Sequence, residues 1–141
     1  MRYAHLFTLT GVILSMLLLT ACAGGETPTL DPLDGTSWVM FAYRKTKHLD
    51  GTQITASFES DFVRGSAGCN SYGAPYQING DRISIGEIEL TAMDCLEPGG
   101  VMEKESYLVD FLGNVHTYRL EGEQLQLYRP DGEGLFFNPQ E

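Results

Sequence analysis

The chain has 141 residues, enough for one domain, and carries 19 Asp and Glu against 9 Lys and Arg, a formal net charge of −10. Such a surface repels phosphate backbones and anionic headgroups, which argues against a nucleic-acid partner and against a peripheral protein held by a basic patch. Hydrophobic residues make up 43% of the chain, so a sizeable core is available.

Residues 1–21 read as an export signal. Met1 to His5 form a short head with Arg2, and Leu6 to Leu19 are dominated by apolar residues, broken by Thr8, Thr10 and Ser15. The run is shorter than the roughly 20 apolar residues that cross about 30 Å of hydrocarbon, and it matches the middle of a signal peptide. It ends in Leu19-Thr20-Ala21-Cys22, which resembles the lipobox of bacterial lipoprotein precursors. Small residues before the cut enter a narrow protease cleft, and the Cys22 thiol is the nucleophile that receives diacylglycerol. An ordinary signal peptide cut after Ala21 and an uncleaved anchor are the alternative readings. On the lipoprotein reading the partner is a membrane, reached through lipid such as palmitate on Cys22, because two or more acyl chains hold a protein stably. Ala23, rather than Asp, follows the cysteine, so the expected location is the outer membrane, facing the periplasm. Removing residues 1–21 takes away one basic residue and no acidic one, which leaves a net charge of −11. These charges are spread thinly along the chain, as on a solvated surface.

Residues 22–33 hold Gly and Pro without an apolar period and are expected to be a flexible tether. Eleven residues from Ala23 reach at most about 35–40 Å. The body is expected over residues 34–141, where the period is mostly two. Trp38 sits in an early strand, Ser37 to Tyr43. Ile54, Ala56 and Phe58 alternate with polar neighbours, and Val63, Gly65 and Ala67 follow the turn Glu59-Ser60-Asp61. Tyr76 and Ile78 lead into Asn79-Gly80, a strong hairpin signal because both residues tolerate positive φ, and Ile83 and Ile85 return on the other arm. Tyr118 and Leu120 pair across Glu121-Gly122-Glu123 with Leu125 and Leu127, and Pro130-Asp131-Gly132 turns toward Leu135 and Phe137. Short alternating strands with regular turns imply a sandwich or barrel.

One segment departs from this period. Val101, Leu108, Phe111, Leu112 and Val115 recur at helical spacing, with Glu103, Ser106 and Asp110 opposite. Lys104 and Glu105 lie near the apolar stripe. Gly113-Asn114 is a reasonable stop, since both tolerate the left-handed conformation. One helix, Val101 to Gly113, is expected to pack over or plug an antiparallel sheet.

With Cys22 assigned to lipid, Cys69 and Cys95 remain as an even pair in an oxidising compartment, and a disulfide 26 residues apart is the first expectation. A metal site with His48, His116 or Asp94 is a rival, without Cys-x-x-Cys or His-x-x-x-His spacing to support it. A Cys nucleophile with His116 as base is another, and needs a free thiolate.

Gly65-Ser66-Ala67-Gly68-Cys69-Asn70-Ser71-Tyr72 resembles the glycine-rich signature of the META domain family. Thr91-Ala92-Met93-Asp94-Cys95 resembles its second block. Leu33 to Trp38, Glu105 to Leu112 and Leu125-Gln126-Leu127 fit as well, so the resemblance covers about residues 33–137. Gly73-Ala74-Pro75-Tyr76 departs from the tighter Gly-x-Tyr turn of the pattern. The family includes a heat-shock lipoprotein linked to novobiocin resistance. The resemblance implies a small, mainly antiparallel β fold with one helix, and the expectation is a half-barrel of short strands with that helix packed on it. It supplies no catalytic residues. Gly65 and Gly68 are expected to allow close backbone approach or unusual φ. Asn70 is expected to bond local backbone groups and cap the turn beside the bridge. Tyr72 is expected to pack with a wet hydroxyl, and Thr91 and Met93 complete the structural motif.

No Gly-x-Ser-x-Gly, metal motif or phosphate loop is present, so neither an enzyme nor a cofactor is expected. The leading expectation is a non-enzymatic envelope lipoprotein that acts through an envelope protein partner in maintenance or in stress and antibiotic tolerance. The alternative is a binder of a small apolar ligand or acyl chain within the half-barrel.

Overall fold

The computed structural model describes residues 30–43, 46–47 and 52–141. The export signal, Cys22, nearly all of the tether and His48 lie outside the described residues. The folded unit runs from Asp31 to Glu141. Its elements are β1 Thr36–Tyr43, β2 Thr46–Lys47, β3 Thr55–Glu59, β4 Phe62–Ser66, β5 Ser71–Asn79, β6 Arg82–Ile85, β7 Glu89–Leu90, α1 Val101–Gly113, β8 Thr117–Glu121, β9 Gln124–Tyr128 and β10 Gly134–Pro139.

All of these pairings are antiparallel, in the order β10-β9-β8-β6-β5-β4-β3-β1. β1 then pairs back onto β10, from Trp38 opposite Pro139 to Tyr43 opposite Leu135. The expected half-barrel is therefore a closed barrel of eight strands, with β2 and β7 as short additions. The length of β1 is the reason. Its first residues register against β3 and its later ones against β10, so one strand joins both edges and leaves neither open. The narrowest seam lies between β6 and β8, where Arg82 opposes Thr117. Ile83 N donates there to His116 O and Tyr118 N to Asp81 O.

The hairpins follow local chemistry, with shifts in detail. Asn79 pairs with Arg82, so the turn is Gly80-Asp81, one residue later than Asn79-Gly80. Only Gly80 has positive φ, at 65°, which fits a turn with glycine at its first central position. This turn sets Ile78 opposite Ile83 and Tyr76 opposite Ile85. Between β3 and β4, Ser60 and Asp61 both take positive φ, 51° and 63°. These residues gain no glycine freedom there, and the Asp34 carboxylate compensates by accepting from Ser60 N at 2.8 Å. Gly73 to Tyr76 form no turn, because β5 runs through them. Pro75 has no N–H to donate, and it stands where the neighbour of β5 changes from β6 to β7.

The interior is filled by alternate residues of the strands. Phe58, Tyr76, Leu125, Leu127, Leu135 and Phe137 are all buried. Phe58 meets Tyr76 edge to face at 5.0 Å between centroids. α1 adds buried Leu108, Phe111 and Leu112. Its end differs in mechanism from the expected left-handed stop. Asn114 has φ −120°, and its side-chain amide donates back to Asp110 O at 2.8 Å. The expected start of the body at residue 34 also moves, to Asp31. Leu33 is fully buried in the core, and Asp31 accepts from Tyr76 Oη at 2.5 Å and from Leu33 N at 2.8 Å. An apolar side chain inside and a bonded carboxylate make Asp31 to Leu33 part of the body.

Candidate functional site

The two sequence blocks and the helix meet at the far end of β4. There the chain turns through Ala67, Gly68, Cys69 and Asn70 before β5 begins. Cys69 and Cys95 are joined in a disulfide with Cα atoms 5.9 Å apart. The thiolate that a nucleophile would require is therefore absent. His116 stands exposed at the start of β8. Among the described residues no three His, Cys, Asp or Glu side chains are grouped to hold a metal ion.

Asn70 is the hub, and its partners are distant in sequence rather than in its own turn. It is buried, and its Oδ1 accepts from Met93 N at 2.7 Å and from Thr91 Oγ1 at 2.8 Å. Its Nδ2 donates to Met93 O at 3.0 Å and to Glu105 Oε1 at 2.8 Å. Its backbone N donates to Glu105 Oε2 at 2.7 Å. Both oxygens of a buried carboxylate are thus engaged by one residue. Burial removes the water from such a group, and these hydrogen bonds replace it. The network ties the second block and α1 to the Cys69 turn.

The glycines supply space. A Cβ on Gly65 would stand 1.9 Å from Thr55 O and 3.1 Å from the Tyr72 ring. That clearance lets Tyr72 lie across Gly65, opposite it in the ladder, and donate from Oη to Thr55 O at 2.9 Å. The Tyr72 hydroxyl is therefore bonded to backbone, not wet, and burial pushes its pKa well above the usual phenol range. Gly68 has φ 112°, and a Cβ there would meet Thr52 Cγ2 at 2.5 Å.

Glu105 is the residue that sequence reasoning missed. Its signal was present, as an acidic residue on the apolar side of the helix. A second omission is apolar. Leu90, Met93 and Leu96 are exposed, Leu96 by 83%. Met93 serves the motif through its backbone, while its side chain faces solvent. Among the described residues are two partly open hollows. One, of about 220 Å³, runs over Met40, Tyr43 and Ile54 beside Glu103 and Lys104 of α1. The other, about 620 Å³, is an open hollow over Pro75, Gln77 and Ser84.

Fold and site together define a closed antiparallel barrel with a helix locked to a disulfide-bonded turn by an Asn–Glu pair. The chain belongs to the META domain family, whose model matches residues 31–141. Among solved structures it is similar to a protein from Burkholderia xenovorans determined by NMR, with 29% identity and a TM-score of 0.61 over 77% of this chain and 83% of that one. A second NMR structure is 18% identical, with a TM-score of 0.62 over 75% and 90% of the two chains. A DUF4847 family protein from Bacteroides vulgatus is 10% identical, with a TM-score of 0.55 over 78% and 97%. The last two share the fold alone. No curated protein matches the chain.

Proposed function

We propose that the protein is an envelope lipoprotein, held in the outer membrane by lipid on Cys22 and facing the periplasm. It acts there by protein contacts, in envelope maintenance or in tolerance of stress and antibiotics, and without catalysis. The observation that carries this reading is the filled interior. Phe58, Tyr76, Phe111, Phe137 and six leucines are buried where a carrier would hold an acyl chain. Close packing of that kind gains dispersion contacts that a void forfeits. The motif supports the same reading, because Asn70 and Glu105 spend their polar atoms on each other, Thr91 and Met93.

Two measurements test the proposal. Cells fed radioactive palmitate should label the full chain and fail to label Cys22→Ala, and labelling of that variant would reject the anchor. Native mass spectrometry of the full chain should show no apolar ligand beyond covalent lipid. A reproducible one-to-one lipid adduct would overturn the contact reading in favour of a carrier.

A further inference from the structure

The segment after β6 combines three properties. It is apolar at its surface, since Leu90, Met93 and Leu96 stand exposed within seven residues, at 39%, 56% and 83%. Scattered single apolar residues on a surface are ordinary, whereas a cluster marks an interaction site. It is also acidic. From Ile83 to Glu103 the chain carries five acidic residues and no Lys or Arg, and Glu87, Glu89, Asp94 and Glu97 are all exposed.

The third property is a fixed backbone. Thr91 N donates to Ser71 O, Met93 is bonded through N and O to the Asn70 side chain, and Cys95 is bridged to Cys69. The apolar side chains are presented on a segment that is already ordered, which lowers the entropy lost on binding.

Charge decides what can cover them. An anionic lipid surface is repelled by the acidic rim, and so is a second copy of a chain with net charge −10.

We infer that Leu90 to Leu96 form a docking surface for a basic polypeptide segment with apolar residues between its Lys or Arg side chains, belonging to another protein. The inference rests on the protein-contact reading above. Apolar side chains of the segment cover Leu90, Met93 and Leu96, and its cations meet Glu89, Asp94 and Glu97.

The full chain, purified from cells in a mild detergent, is irradiated with a synthetic peptide that alternates Lys and Leu and carries a benzophenone. Adducts are mapped by mass spectrometry, and the same peptide with Glu in place of Lys serves as the charge control. Adducts should concentrate on residues 86–97 and fall about tenfold in a Met93→Asp/Leu96→Asp variant that retains its disulfide. The Glu peptide should give none, and Leu120→Asp, at another exposed leucine, should leave the yield unchanged. Adducts spread over the whole acidic surface, or undiminished in the double variant, overturn the surface. A second arm separates this from failure of the reading it rests on. A photo-crosslinking residue is placed in cells at position 96 or at position 120. Protein adducts at 120 alone reject the surface and keep protein contact, and adducts at neither position reject both.

Discussion

The Asn70 side-chain amide donates to Glu105 Oε1 at 2.8 Å while the Asn70 backbone N–H donates to Oε2 at 2.7 Å, so one residue occupies both oxygens of a buried carboxylate. Glu105→Gln should test this. It keeps the shape but turns an NH2 group toward a donor. An unsatisfied buried donor costs about 1–3 kcal/mol, so the urea midpoint should fall by that equivalent with an unchanged slope. A variant as stable as the parent would show that the pair contributes nothing.

The disulfide closes a separation of 26 residues. Chain entropy assigns such a loop about 3–4 kcal/mol, or roughly 10 °C or more in melting temperature for a domain of this size. Calorimetry of Cys95→Ser and of the reduced parent should show the same loss. Thiol titration of the unreduced, folded protein should find neither Cys69 nor Cys95 reactive. Two reactive thiols there would refute the bridge.

Gly65 and Gly113 should answer alanine in opposite directions. Gly65→Ala forces a methyl against Thr55 O, at 1.9 Å before any shift, and should destabilise by about 1–3 kcal/mol. Gly113 has open space around it and ordinary φ at the end of α1, so Gly113→Ala should stabilise by about 0.5–1 kcal/mol. Equal effects in denaturant unfolding would contradict the spatial argument.

The turn between β3 and β4 offers a gain. Ser60 and Asp61 hold positive φ without glycine. Replacing them by Asn and Gly should raise stability by about 1 kcal/mol, because Asn-Gly adopts this geometry at less cost. The Asp34 bond goes to the backbone N of residue 60 and survives the change. An unchanged or lowered unfolding midpoint would reject this account.

Alkaline pH should weaken the fold through buried phenols, Tyr72 and Tyr76 among them. Burial raises the pKa of Tyr72. Burial first, then the hydrogen bond to Asp31 and the charges of Asp31, Asp34 and Asp61, raises that of Tyr76. A raised folded value means that the native state holds these protons more tightly than the unfolded chain. Their contribution is complete below the unfolded value of about 10 and declines as pH climbs past it. The denaturation midpoint should drop above that pH, and the drop should be smaller in Tyr72→Phe/Tyr76→Phe. An identical slope in the double variant would place the effect elsewhere.

The sequence by itself determined what depends on neighbours. Period-two alternation placed Ala56 and Phe58 in a strand, with Ile54 just before it. The turn at Gly122 set Tyr118 opposite Leu127, and helical spacing bounded α1 at Val101 and Gly113. Those signals are local because a turn or a helical face is specified within a few residues. Only the tertiary structure decided that the sheet closes, since Trp38 opposite Pro139 joins residues about a hundred apart and both strands would alternate in the same way at an open edge. It also decided the partners of Asn70. A buried carboxylate on a helix reads as a flaw in the apolar stripe until the fold brings a donor 35 residues away to meet it, because only three-dimensional proximity replaces the water that burial removes.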